Sequence, residues 1–252
     1  MLPGESEQVG QLSTQTAPHR PGGRPALRMR WEKLLFLHWA WEAKDLQARL
    51  PKGLEVEEFE GHAWLGVVPF VMKGVHPIGL FQIPWLSNFE ELNVRTYVRS
   101  QDGQSGVWFF SLACNQPLAV EIARRGFHLN YVHAKISARG DSRMRYECQR
   151  EGMSPGVFEY PTSPNKPAPA SPGTLEHFLV ERYVLFSTDR SGRLYAGHVA
   201  HTPYHIESIK IPQWSFQTAV ADGFRDPHTP PDHAMIARDV EVLAWPIKKV
   251  AP

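Results

Sequence analysis

Glu91, Asn93 and Arg95 lie two residues apart in the run F-E-E-L-N-V-R-T-Y-V-R from Phe89 to Arg99. A two-residue period puts them, with Tyr97, on one face of a β-strand and puts Leu92, Val94, Thr96 and Val98 on the other. A carboxylate, an amide, a guanidinium and a phenol in one row suit either solvent or the wall of a polar cavity inside a closed sheet. In a cavity these groups could bind an oxygen-rich small molecule and move a proton to or from it. An arginine beside Glu91 would keep that carboxylate ionised. Alternatively, Glu91 and Arg95 pair with each other and only neutralise buried charge.

Other side chains are candidates to converge on the same place. Ser111 lies on the returning run G-V-W-F-F-S-L-A, and His128 and Tyr131 lie in F-H-L-N-Y. Glu91 and His128 are the candidate catalytic acid and base. Asn93, Arg95, Ser111, Tyr131, Lys135, Glu181 and His201 are candidate ligand contacts. Ser111 has no Gly-x-Ser-x-Gly elbow around it, so it reads as a hydrogen-bond partner and not a nucleophile. Glu181, in E-R-Y, favours a structural role at a corner. Of the twelve histidines only His198 and His201 sit close together. Their spacing points them to opposite faces of a strand, so no metal site is expected, and nothing in the sequence calls for a cofactor.

These residues need elements to hold them. The Phe89–Arg99 run and Gly106–Ala113 are predicted to pair antiparallel about a turn at Asp102-Gly103. Ahead of them stand an apolar strand over Trp31–Trp41 containing His38, a helix over Ala43–Leu50, and strands over Leu54–Glu60 and His62–Met72 folded about Gly61. Gly74–Ser87 is a long apolar loop, either a lid or cavity wall or a plug over an open sheet end. After the hairpin, Asn115 is predicted to cap a helix running from Pro117 to Arg125, with Gly126 as its stop. A second hairpin, Val132–Ala138 with Arg143–Gln149, turns at Arg139-Gly140-Asp141. Thr174 caps a short helix, Glu181–Thr188 and Arg193–His201 are strands, Tyr204–His233 is loop-like, and Ala234–Trp245 is the last strand. About ten short strands with hairpin connections and three small helices make a mainly β (α+β) chain built on an antiparallel, partly closed sheet.

Composition sets the outer bounds. With 252 residues, 42% hydrophobic and 21% charged, the chain can bury one large core or two small ones. Met1 to about Arg30 reads as a disordered tail, and residues 31–252 as a single domain crossed by an exposed proline-rich connection at 160–172. A formal charge of +1 gives no electrostatic case for nucleic acid or for an anionic membrane. Two cysteines, Cys114 and Cys148, make neither a disulfide framework nor a zinc pattern, so a reducing cytoplasm is the expected compartment.

In order along the chain, W-E-K-L-L-F-L-H-W, G-L-E-V-E-E-F-E-G-H-A-W-L-G-V-V-P-F, F-E-E-L-N-V-R-T-Y-V, G-V-W-F-F-S-L, L-V-E-R-Y and H-T-P-Y resemble the bacterial YqjF-like family. The resemblance spans Arg30 to Pro246. It implies the acetoacetate decarboxylase-like fold, a cone-shaped sheet around a cavity. The chain departs from the family wording at Ala113-Cys114, Asn130 and Tyr204, where aspartate, proline and tryptophan are common.

Acetoacetate decarboxylase works through a lysine whose amine is activated by a neighbouring cation. The more distant resemblance to that enzyme places Glu91 on its site glutamate and His128-Leu129 near its lysine pair. No lysine stands there. Lys135, seven residues on, is the remaining candidate, so imine-based decarboxylation is not expected. What the resemblance implies is a cavity for a small organic ligand, a carboxylate or keto compound, with lyase- or hydrolase-type acid–base chemistry. A non-catalytic ligand-binding protein and a protein-interaction module are the alternatives. The sequence leaves the oligomeric state open.

Overall fold

A computed structural model describes residues 21–250. The chain begins with β1 (Leu27–Glu32), β2 (Leu35–Trp41), α1 (Ala43–Gln47), β3 (Leu54–Val56), β4 (Ala63–Pro77), α2 (Pro84–Ser87), β5 (Phe89–Ser100) and β6 (Ser105–Cys114). It continues with α3 (Pro117–Phe127), β7 (Tyr131–Arg139), β8 (Arg143–Arg150), β9 (Gly156–Pro161), β10 (Ala168–Pro169) and α4 (Leu175–Val180). The last elements are β11 (Val184–Thr188), β12 (Leu194–Ala200), β13 (His205–Ser208), α5 (Gln217–Ala221), β14 (His233–Ala237), β15 (Val240–Ala244) and β16 (Lys248–Lys249).

Seven of these strands close into a ring. β4 pairs with β1, β1 with β15, β15 with β12, β12 with β11, β11 with β6, β6 with β5, and β5 returns to β4. One wing of the sheet leaves the ring from β4 through β2, β14, β13 and β10. The other leaves from β6 through β7, β8 and β9. Closure removes free edges from the ring and fixes an inside and an outside for each strand. The sheet is mixed where hairpin connectivity predicts an antiparallel one. β6 runs parallel to β7, to which the α3 crossover returns the chain in the same direction, and also parallel to β11.

The predicted hairpin of β5 and β6 is present, and both faces of β5 are buried. Leu92 and Val94 pack into an outer core with Leu37, Leu65, Ala113, Tyr146 and Phe158, while Tyr97 belongs to the inner core with Phe36, Phe70 and Met72. β4 shows why its sequence is apolar without alternation: every residue from Ala63 to Met72 is buried, since the two cores lie on opposite sides of it.

Several element boundaries differ from the sequence expectation. Of the expected tail, residues 1–20 lie outside the described residues, but Leu27–Arg30 belong to the fold. β1 pairs with both β4 and β15, and Met29 is a buried core residue. Hydrophobic content is low on the N-terminal side of β1, which hides a strand whose outward residues are arginines. Deleting residues 1–30 is therefore expected to lower unfolding free energy by at least the ~2–5 kcal/mol typical of losing a buried Met side chain. Urea denaturation of the deleted and intact chains checks this; an unchanged midpoint would show β1 to be dispensable.

α3 is capped by Gln116, whose side chain accepts from Leu118 N, in place of Asn115. Asn115 instead ties the start of β5, accepting from Glu90 N at 3.0 Å. The helix also runs through Gly126 and ends where His128 takes a left-handed conformation, φ 52°. The segment expected to be loop-like after Tyr204 contains β13 and α5, and Ala168-Pro169 of the proline-rich connection adds β10 to the sheet edge.

Candidate functional site

The ring encloses a cavity of about 420 Å³. All seven ring strands contribute to its wall, among them Met29 and Trp31 of β1, Phe70 and Met72 of β4, Phe109 and Leu112 of β6, Leu185 of β11, Val199 of β12 and Ala244 of β15. On this largely apolar lining Glu91, Asn93 and Arg95 stand in one row along β5, with Tyr131, Tyr204 and His76 as further polar lining residues. Arg182 joins them from the chain after α4.

Glu91 is buried to 2% exposure, and its Oε2 accepts a hydrogen bond from the Tyr131 hydroxyl at 2.7 Å. Removal from water favours the neutral acid, so burial pushes the carboxyl from 4.5 to about 7, partly offset by the Tyr131 hydrogen bond, which favours the anion. The same burial, together with the adjacent Glu91, raises the Tyr131 phenol well above its ordinary range. Tyr131 is thus a hydrogen-bond donor and Glu91 a carboxyl that exchanges its proton near neutrality.

Arg95 does not pair with Glu91. Its Nη2 donates to the Leu179 carbonyl at 3.1 Å and to the Tyr97 hydroxyl at 3.3 Å, and its guanidinium lies 5.4 Å from the Phe36 ring centre. Among the described residues no carboxylate forms an ion pair with it, and its buried Nε has no hydrogen-bond partner. The Asn93 Oδ1 is likewise buried without a partner. Arg182 differs: its Nη1 donates to Glu57 Oε2 at 2.5 Å, and that carboxylate also accepts from Ser105 Oγ at 2.8 Å and from Arg99. Both alternatives open for the Glu91–Arg95 pair are therefore set aside: the two neither neutralise each other nor hold Glu91 ionised.

Of the residues singled out in the sequence, the structure brings together Glu91, Asn93, Arg95 and Tyr131. Ser111 faces the other way. Phe110 is an extra residue opposite the Val94–Arg95 step, a β-bulge that flips the faces on either side of it, so Phe109 points inward and Ser111 outward. Ser111 donates to Asp222 Oδ2 at 2.6 Å in an open groove of about 930 Å³ outside the ring, beside Arg150. His128 caps α3 and lines that outer groove with its ring 5.0 Å from Tyr195, so it is not the acid–base partner of Glu91.

Glu181 ends α4 as a structural acceptor for Tyr204 N at 2.9 Å and for the Tyr183 hydroxyl. His201 is buried against Tyr204 and Tyr183 with Nδ1 2.7 Å from the Thr202 carbonyl. Neither lines the cavity. Cys114 is buried and its thiol is pushed up to about 12, chiefly by burial and then by the Glu91 charge, which fits a small apolar residue.

Lys135 is exposed on β7 opposite Gln149, away from the cavity. No lysine is among the described cavity-lining residues. Borohydride added together with acetoacetate is expected to leave the intact mass of the protein unchanged. A reduced adduct on Lys135, lost in Lys135→Arg, would restore the imine mechanism.

Sequence reasoning missed the Glu57–Arg182 pair and the raised pKa of Glu91. The first joins residues 125 positions apart, and the second depends on how much water the closed ring excludes. Among the described residues no group of three His, Cys, Asp or Glu is placed to hold a metal, and no helix is long and apolar enough to cross a membrane.

Comparison with known proteins follows the same lines. Structural similarity is found to the acetoacetate decarboxylase of Legionella pneumophila, with a TM-score of 0.61 at 13% identity over 92% of this chain and 93% of that one. It is also found to the enduracididine biosynthesis enzyme MppR complexed with the condensation product of pyruvate and imidazole 4-carboxaldehyde, with a TM-score of 0.59 at 13% identity over 98% of both chains. Such identities establish the fold and not the activity. In sequence, the uncharacterized protein YqjF of Bacillus subtilis (strain 168) is 34% identical over 233 residues, covering 91% of this chain and 94% of the relative. The profile of the DUF2071 family, described as an uncharacterized conserved protein, matches residues 28–241, and the chain belongs to that family.

Proposed function

We propose that this protein takes a small organic molecule bearing a carboxylate or keto group into the ring and performs proton transfer on it through Glu91, a lyase- or hydrolase-type reaction. The observation that carries this reading is the Glu91 carboxyl, buried in the largely apolar cavity of the ring, raised to about 7 and hydrogen-bonded to Tyr131. A carboxyl poised near the working pH is half protonated there and can give or take a proton with little free-energy cost. Tyr131 keeps one carboxyl oxygen oriented and leaves the other to face the ligand. Arg95 supplies the positive charge that an ionised ligand carboxylate needs in an apolar site.

A non-catalytic binding protein is the second reading. It is favoured by the position of His128 outside the ring, which leaves Glu91 without a second titrating partner of the kind acid–base pairs use. Native mass spectrometry of the purified chain identifies what the cavity retains, and turnover of that compound is then compared in the wild type and Glu91→Gln. Turnover lost in Glu91→Gln with binding retained supports the enzyme. Binding without turnover in either protein leaves the binding function, and turnover that survives in Glu91→Gln would remove Glu91 from the chemistry.

A further inference from the structure

The cavity has a polar end and an apolar end. Arg95 lies opposite Gly66 on β4 and is closed over by α4, where it bonds to the Leu179 carbonyl. Glu91 lies four residues nearer the other end of β5, about 13 Å away at the rise of a strand. Beyond Glu91, Phe89 faces Met72, and β4 runs on from there to Pro77, where the chain enters the 78–87 segment. That segment and α3 frame the mouth and are joined where Gln116 Nε2 donates to the Trp85 carbonyl at 2.8 Å.

The mouth is apolar to an extent that solvent alone does not explain. Phe81 is 94% exposed and Leu80 64%, and both line the cavity, as does Ile122 of α3 at 51%. A cluster of large apolar residues at a cavity opening marks a binding surface, since single exposed apolar residues are ordinary and contiguous ones are not. At the opposite end the charge is one unpaired guanidinium, because Arg182 is neutralised by Glu57. Among the described lining residues Arg95 is the one guanidinium without a carboxylate partner, which suits a monoanion.

Resting on the acid–base reading above, we infer that the ligand is an amphiphilic monocarboxylate. Its carboxylate binds Arg95 beside Asn93 at the closed end, its middle passes Glu91, and its alkyl tail leaves through the mouth against Leu80, Phe81 and Ile122. Glu91 then acts on a carbon remote from the carboxylate, at a distance set by the spacing of Glu91 and Arg95 along β5.

Calorimetric titration of the full chain with butanoate, octanoate, dodecanoate and dodecanol tests this. Affinity is expected to rise about fourfold for each methylene buried, so octanoate and dodecanoate bind far more tightly than butanoate. Dodecanol, which has no charge for Arg95, should bind at least tenfold more weakly than dodecanoate. Arg95→Met should bring dodecanoate down to the level of dodecanol. The exposed-site variant Phe81→Ser, which cannot disturb the core, should weaken dodecanoate several-fold and leave butanoate unchanged. A flat chain-length series, equal binding of dodecanol, or no effect of Phe81→Ser on dodecanoate each overturns the inference. Should acetoacetate still perturb the infrared carboxyl band of Glu91 in that case, the acid–base reading stands while the amphiphile falls; the reverse pattern separates them the other way.

Discussion

Glu91→Gln is expected to remove about 3 kcal/mol of pH dependence from the stability of this protein. In the folded chain the Glu91 carboxyl titrates at about 7, because the closed ring withholds water from its anion, whereas unfolded it titrates near 4.5. Between those values the folded state holds a proton that the unfolded state has released. Stability from this group is thus complete below about 4.5 and falls as pH rises through about 7. Glutamine keeps an oxygen to accept from Tyr131 and carries no charge at any pH.

The difference between wild type and variant isolates Glu91 from other shifted groups, such as Asp222 and His38, that titrate in both proteins. Urea unfolding at pH 5 and pH 8 should show the wild type losing more stability than Glu91→Gln across the interval. Equal losses would mean that the carboxyl is hydrated or paired, and the basis for acid–base chemistry at this position would go with it.

The row Glu91, Asn93, Arg95 was legible because strand periodicity is a local property: four consecutive alternations in one run place side chains without reference to the rest of the fold. The same logic failed for Ser111, where one extra residue at Phe110 reverses the faces, and a bulge leaves no mark in a run of apolar residues. It failed for His128 because Gly126 offers an ordinary helix stop, while the chain continues two residues and places a histidine in the left-handed position.

Ring closure was legible only in outline. Alternating runs and hairpin turns imply a curved sheet, but the joins that close it, β1 to β15 and β6 to β11, link residues far apart in the chain. The protonation state of Glu91 follows from that closure. It could not be read from the run that contains it, where an arginine four residues away suggests the opposite sign. Side-chain reach, not sequence distance, decides: Arg95 turns to Tyr97 and Leu179, leaving Glu91 to Tyr131.

Glu57→Ala is expected to cost about 3–5 kcal/mol, the range for breaking a buried ion pair by removing one partner. Glu57 is the sole carboxylate paired with Arg182 among the described residues, and the two side chains are 12% and 6% exposed. Burial lowers the Arg182 pKa, yet a guanidinium stays charged at neutral pH, so losing Glu57 leaves a cation in the cavity wall. Its remaining partners, the Phe178 carbonyl at 2.6 Å and the faces of Phe178 and Tyr97, do not cancel that charge. Arg99 also bonds to Glu57, but it is 37% exposed and can turn to water.

The double variant Glu57→Ala/Arg182→Met removes the charge with its partner and should recover most of the loss. Urea unfolding of the two single variants and the double variant at neutral pH gives the answer, and a double variant no more stable than Glu57→Ala would show that packing, not charge, is at stake. The pair also bears on recognition. With Glu57 in place, Arg95 is the one guanidinium among the described cavity-lining residues without a carboxylate partner. Without Glu57 there are two, so a carboxylate ligand should restore stability to Glu57→Ala more strongly than it adds to the wild type.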